Sequence, residues 1–215
     1  MMDTIKKFYD AFHQLSDLHH DIIDPSEVSR IVAEHDSNID TTSLLHDPIT
    51  SQSTSFFKHI HYSICSSTQD AAKNYLMQDD QPALITSDFQ FKGYGRNGPW
   101  HSSYGQHICA SIIIPKKITD MPITVIVSYL LQQYIKELTI YPCKIKWPND
   151  ILINGLKVAG VLAESSACNS FWIIGIGINH HSDTTLITSS EIDIGPTCLN
   201  DWTTHQVSRN EVLAN

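Results

Sequence analysis

Apolar and polar positions change period several times along the chain, and each change marks a predicted element. Ile5, Phe8, Phe12 and Leu15 recur at helical spacing within residues 1–20, and Pro25-Ser26-Glu27 opens a second helical pattern through Val28, Ile31 and Val32. Residues 36–54, rich in Asp, Ser and Thr and containing Pro48, read as a linker. Phe56 to Cys65 alternates as a strand does and runs into Ser66-Ser67-Thr68-Gln69-Asp70. A serine or threonine there can cap a helix predicted over 68–78 by Ala71, Ala72, Tyr75 and Leu76. Pro82 to Asp88 is an apolar strand, and Ile108 to Ile114 reads as a fully buried one. The best helix spans Ile123 to Leu138, with Ile126, Val127, Leu130, Leu131, Tyr134 and Leu138 on one face. Alternation then reaches Trp147, Pro148 breaks the pairing, Ile151 to Ile153 resume it, and Asn154-Gly155 supplies the two positive-φ residues of a hairpin turn. Val158 to Ala163 and Phe171 to Ile178 are further buried strands, and Arg209 to Leu213 begins a helix. These elements predict an α+β fold: a mixed, mostly antiparallel sheet backed by helices 68–78 and 123–138, with a ligand on the opposite side.

A hydrophobic content of 41% over 215 residues suffices for one main core with a small appendage. No apolar run approaches the roughly 20 residues of a membrane span, and the start lacks the apolar stretch of a signal peptide, so a soluble, cytoplasmic protein is expected. The five cysteines are spread without a Cys-x-x-Cys pair, which favours reduced thiols. Charge alters the picture more. Residues 1–50 carry a balance of −7 and residues 51–215 one of −2, which places a boundary near 50. Residues 1–54 are therefore read as a helical appendage and linker, and 55–215 as the main domain. An acidic chain of net charge −9 is not built to hold a phosphate backbone, so no nucleic-acid partner is expected, and no membrane partner either. His59 and His61 would place two rings on one face of a strand, but no carboxylate or cysteine stands at ligand spacing beside them, so a metal site there is not expected.

Candidate chemistry concentrates in four places. The hairpin Lys144 to Gly160 projects Lys146, Asn149, Asp150 and Lys157 from strand ends and turn shoulders. The stretch Gln90-Phe91-Lys92-Gly93-Tyr94-Gly95-Arg96-Asn97-Gly98-Pro99-Trp100 has glycines that free the backbone to wrap around an anion, with Arg96 turned inward. Ser67-Thr68 stands at a strand-to-helix junction, and Gly175-Ile176-Gly177-Ile178-Asn179 closes a strand whose glycines let a backbone or ligand approach. The string Lys146-Trp147-Pro148-Asn149-Asp150 followed by Lys157-x-x-Gly160 resembles the signature of the biotin protein ligases in residues and in spacing, and the resemblance extends over about residues 56–213.

That resemblance implies a class II synthetase-like fold and an ATP-dependent enzyme. Biotin's carboxylate would attack the α-phosphate of ATP to give biotinyl-adenylate and pyrophosphate, and a lysine of a biotin carboxyl carrier domain would then take the acyl group. It implies that Ser67, Thr68, Gln90, Gly93, Gly160, Gly175 and Gly177 surround biotin. The nucleotide would be met by Tyr94, Gly95, Arg96, Trp100, Lys146, Asn149, Asp150 and Asn179, with Asp150 also on magnesium. Lys157 would bridge the biotin carboxyl and the α-phosphate, with Arg96 closing over it as the second catalytic residue. The glycine loop departs from the family pattern: Tyr94 stands where a basic residue is usual, Asn97 replaces a second arginine, and the run to Trp100 is one residue short. Members usually finish the last helix and add a small β-rich domain, which does not fit in what remains after Leu213. A monomer or homodimer is expected. Two alternatives stay open from the sequence: a lipoate or octanoate ligase or transferase of the same fold, and a degenerate paralogue that binds biotin without turning it over.

Overall fold

Eight strands pair in one mixed sheet in the order β1-β2-β3-β6-β10-β9-β8-β7, in a computed structural model that describes residues 50–53, 58–116, 122–181 and 195–214. The strands are β1 (Thr50–Ser53), β2 (Lys58–Cys65), β3 (Ala83–Gln90), β6 (His107–Pro115), β7 (Cys143–Lys146), β8 (Asp150–Ile153), β9 (Leu156–Ser165) and β10 (Phe171–Asn179). Two short strands, β4 (Tyr94–Gly95) and β5 (Gly98–Pro99), make a separate ribbon. The helices are α1 (Thr68–Tyr75), α2 (Ile123–Leu138) and α3 (Arg209–Ala214). The helical patterns read within residues 1–49 lie outside the described residues. Thr50–Ser53, read above as linker, pairs antiparallel with β2 and extends the sheet.

Pairing is antiparallel throughout except between β2 and β3, which run parallel. A parallel pair needs a crossover, and α1 supplies it. Register fixes which residues share a face. Ile113 pairs with Ala83 and Ile173, and Ile112 with Leu84 and Ile174, so each adjacent pair of isoleucines serves two cores. The first core joins Ile60, Ala83, Ile85, Ile113 and Ile173 to Ala71, Ala72 and Tyr75 of α1. The second joins Leu84, Ile112, Ile174 and Val158 to Ile123 and Ile135 of α2 and Val212 of α3. The helices therefore cover opposite faces. The sequence reading put both on one side with the ligand on the other; instead, α1 shares its face with the cleft described below.

The stripe that α2 buries matches the predicted one in part: Val127, Leu131, Tyr134 and Leu138 pack against the second core. Ile123, Ser128, Gln132 and Ile135 are buried, whereas Leu130 is exposed. Apolar residues nearly encircle this helix, so periodicity alone leaves several stripes available, and packing against β7, β8 and β9 selects among them. The hairpin is as read: pairing stops at Lys146 and Asp150, the Trp147–Pro148 bond is cis, and Asn154 and Gly155 take φ of 49° and 86°.

Candidate active site

A small cleft of about 60 Å³ opens on the α1 face of the sheet, where β9 and β10 pass beneath the start of α1 and the loop after β3. Its walls bring together residues far apart in sequence: Thr68, Gln90, Tyr94, Gly95, Arg96, Trp100, Asn149, Lys157, Gly160, Gly175 and Gly177 all line it.

The cleft's floor is polar and tightly bonded. Ser111, fully buried on β6, donates to Gln69 Oε1 at 2.8 Å, and its Oγ lies 2.9 Å from Thr68 Oγ1. The Thr68 amide donates to Gln90 Oε1 at 2.6 Å, and Gln69 Nε2 donates to Glu164 Oε2 at 2.8 Å. A hydroxyl in the middle of an apolar strand costs free energy unless paired, which is why Ser111 engages both neighbours. Ser67 and Thr68 divide their work. Ser67 is the cap of α1, its oxygen accepting from the Gln69 amide at 3.1 Å, and it does not line the cleft.

Each glycine of the Gly175-x-Gly177 pair makes room for a side chain of the protein itself. A Cβ on Gly175 would meet the Gln69 amide oxygen at 3.0 Å, and one on Gly177 would meet two indole carbons of Trp100 at 2.6 Å. Trp100 thus lies across β10 inside the cleft. It is brought there by the loop's closure: the Trp100 amide donates to the Gly93 carbonyl at 2.9 Å, and a Cβ on Gly93 would meet the Trp100 carbonyl oxygen at 2.6 Å. Gly93 is therefore a requirement of loop closure rather than part of the lining.

The hairpin supplies the charge. Lys157 Nζ lies 2.8 Å from Asp150 Oδ1, and above Gly160, where a Cβ would stand 3.6 Å from both atoms. The same ammonium is 5.8 Å from the centre of the Trp100 indole. Asp150 reaches the cleft through this pair. Lys146 is exposed and stands off the cleft. Asn179 also stands off it, donating to the carbonyls of Lys157 and Thr197 and so pinning the chain on either side. Tyr94 lines the cleft, but its hydroxyl is engaged at the outer edge with Asp70, Lys73 and Glu164.

Sequence reasoning missed Gln69, Glu164, Ser111, Asp70 and Lys73. Ser111 carried a signal, being a polar residue amid an otherwise apolar strand; the helical positions and Glu164 on β9 did not. The buried thiols of Cys65 and Cys109 are pushed up to about 12 by burial, so neither offers a thiolate, and all five cysteines are outside disulfides. His59 and His61 both bond the Thr86 hydroxyl, and no cluster of metal-ligating side chains occurs among the described residues. No described helix is long and apolar enough to cross a membrane.

A family model for biotin/lipoate A/B protein ligases matches residues 61–179. The bifunctional ligase/repressor BirA of Bacillus subtilis is 38% identical over 130 residues, which are 56% of this chain and 39% of that protein. Biotin–protein ligase 2 of Arabidopsis thaliana is 26% identical over 169 residues, 74% of this chain and 50% of its own. The chain thus spans half or less of the length of these relatives. Among solved structures, the biotin protein ligase from Aquifex aeolicus in complex with biotin and ATP superposes with a TM-score of 0.61 at 29% identity, covering 74% of this chain and 66% of that one.

Proposed function

Because the chain belongs to the biotin/lipoate A/B protein ligase family, we propose that its cleft joins biotin to ATP as biotinyl-adenylate and delivers the biotinyl group to a lysine of a biotin carboxyl carrier domain. A carboxylate oxygen of biotin attacks the α-phosphate and pyrophosphate leaves. The lysine amine then attacks the mixed anhydride's carbonyl, AMP leaves, and an amide remains. Two anions must approach each other in the first step, so the chemistry needs fixed positive charge and preorganised donors rather than a nucleophilic side chain. Lys157 fits that need. It is held by Asp150 at the junction of floor and loop, and a single ammonium there can contact both reacting groups. Asp150 is the carboxylate that would hold magnesium; one carboxylate suits that cation when nucleotide phosphates supply further oxygens, and magnesium would then offset phosphate charge. Arg96, exposed on the loop and lining the cleft, is the second cation we assign to the phosphates.

The observation that carries biotin over lipoate is the polar floor. Thr68 and Gln90 line the cleft with polar side chains, and Thr68 Oγ1 keeps acceptor capacity beyond its one contact with Ser111. A ureido ring presents two N–H donors and a carbonyl and can pair with such groups, whereas a dithiolane would bury them without return. Sites built to hydrogen-bond a ligand reject the analogue that lacks the groups. Calorimetric titration tests this directly. Biotin should bind and lipoate should not, and Thr68→Val should weaken biotin by about 1 to 3 kcal/mol, the cost of an unsatisfied buried group. Tighter binding of lipoate than of biotin would overturn the assignment.

A further inference from the structure

We propose that Tyr94 is a positioning residue whose hydroxyl latches the glycine loop, through Glu164 and Asp70, to the polar floor of the cleft. The loop from Phe91 to Trp100 lies over that floor; its first residues are bonded to the turn before α1, and its far end closes back on Gly93. Phe91 and Lys92 amides donate to the Cys65 and Ser66 carbonyls, and the Trp100 amide donates to Gly93. Between these ends the loop's side-chain anchor is the phenol. Its oxygen lies 3.0 Å from Asp70 Oδ1, 3.1 Å from Glu164 Oε2 and 2.7 Å from Lys73 Nζ. Lys73 donates to the phenol and also to Glu164 at 3.1 Å, and it lies 3.8 Å from Asp70. The phenol has one proton to give, and two carboxylates compete for it. Burial, then the charges of Asp70 and Glu164, push its pKa far up, so the proton stays in place at any working pH.

The cluster does not end at the surface. The Glu164 oxygen that faces Tyr94 also accepts from Gln69 Nε2, and Gln69 Oε1 accepts from Ser111, which touches Thr68. One bonded path therefore runs from the loop to the groups assigned above to the ligand. The neutral phenol spends its hydroxyl on Asp70 and Glu164. A ligand that reorients Gln69 thereby loosens or tightens Glu164's hold on the loop, and closing the loop orders the floor. The coupling to ligand rests on the proposed function; the latch itself does not.

Hydrogen exchange read by mass spectrometry on the ligand-free chain tests the latch. Tyr94→Phe keeps the ring and removes the hydroxyl, and exchange across residues 92–104 should quicken about tenfold, the effect of losing one hydrogen bond to a charged group. Peptides from β6 and β10 should be unchanged, which reports that the fold is intact. Glu164→Gln should also quicken the loop, and the double variant should quicken it by less than the product of the two single effects, since both cut one path. Biotin dissociation, followed by displacement, should accelerate in Tyr94→Phe by a similar factor. Loop exchange within twofold of the parent, or single effects that multiply, would overturn the proposal. If the parent binds no biotin while the exchange results hold, the functional reading fails and the latch stands.

Discussion

Gly177 shows how much of the site was legible residue by residue. A glycine at alternate positions of a buried strand signals a close approach, and the sequence carries that much; the identity of what approaches depends on a loop that returns from nearly eighty positions earlier. The visitor is the Trp100 indole, and Gln69 plays the same part at Gly175. Gly177→Ala should drive the indole out of the cleft, since the new methyl would sit 2.6 Å from ring carbons. Overpacking of this kind costs about 1 to 3 kcal/mol, and here it should appear as a changed tryptophan emission and weaker biotin binding, with unfolding still cooperative. Unaltered emission would show that the ring does not rest on Gly177. Ser67 and Thr68 make the complementary point. Either hydroxyl could cap the helix from sequence alone, and only the turn's geometry separates cap from cleft. The motif singled out Lys157, and the residue does line the cleft. Lys157→Ala should slow adenylate formation by about 10²- to 10³-fold with the fold intact, as removal of one preorganised stabilising donor does. A variant within a few-fold of the parent in pyrophosphate release would take Lys157 out of the mechanism.

Elements with strong local chemistry were read closely. The Asn154-Gly155 turn, the break at Pro148 and the helix over Ile123–Leu138 all rest on residues that admit few alternatives. Strand β1 was not legible, because Thr50-Ser51-Gln52-Ser53 has no apolar alternation and its pairing answers to the open edge of β2. His180, the residue after β10, drew no reading from the sequence, and it is a titratable group with consequences. His180 is buried, with Nε2 donating to the Val207 carbonyl at 2.7 Å, which ties the strand's end to the approach to α3. Burial above all pushes its imidazole down to about 4, against the opposing influence of that carbonyl. The unfolded chain takes up a proton here as pH falls below about 6.5, while the folded chain stays neutral. Its contribution to stability is therefore complete above that pH and is lost as pH falls from there towards 4. Between pH 7.5 and 5 the loss should be about 2 kcal/mol. Urea unfolding at both values, on the parent and on His180→Asn, checks this: the parent should lose more on acidification than the variant, and equal losses would show that His180 is not held neutral.

At the scale of the whole molecule, class and sheet composition followed from the pattern of strands, but which face carries the cleft did not. Strands such as β6 are buried on both sides and read as continuous apolar runs, so they give no inside and outside to choose between. The choice is made by α1, which crosses between the parallel strands and brings Thr68, Gln69 and the Tyr94 anchor to one side. The charge break near residue 50 and the absence of any motif before it support the proposal that the acidic segment is dispensable for adenylate formation. Because β1 begins at Thr50, a truncated chain should start a few residues before it. Such a chain that folds but makes no adenylate would return the segment to the site. The central claim is that this cleft activates biotin with ATP, and the most direct measurement is pyrophosphate release by the purified chain with ATP and magnesium, supplied in turn with biotin, with lipoate and with neither. Release that requires biotin, and that falls by about 10²-fold or more in Lys157→Ala, is the predicted result; release with lipoate alone, or biotin binding with no release at all, would contradict it.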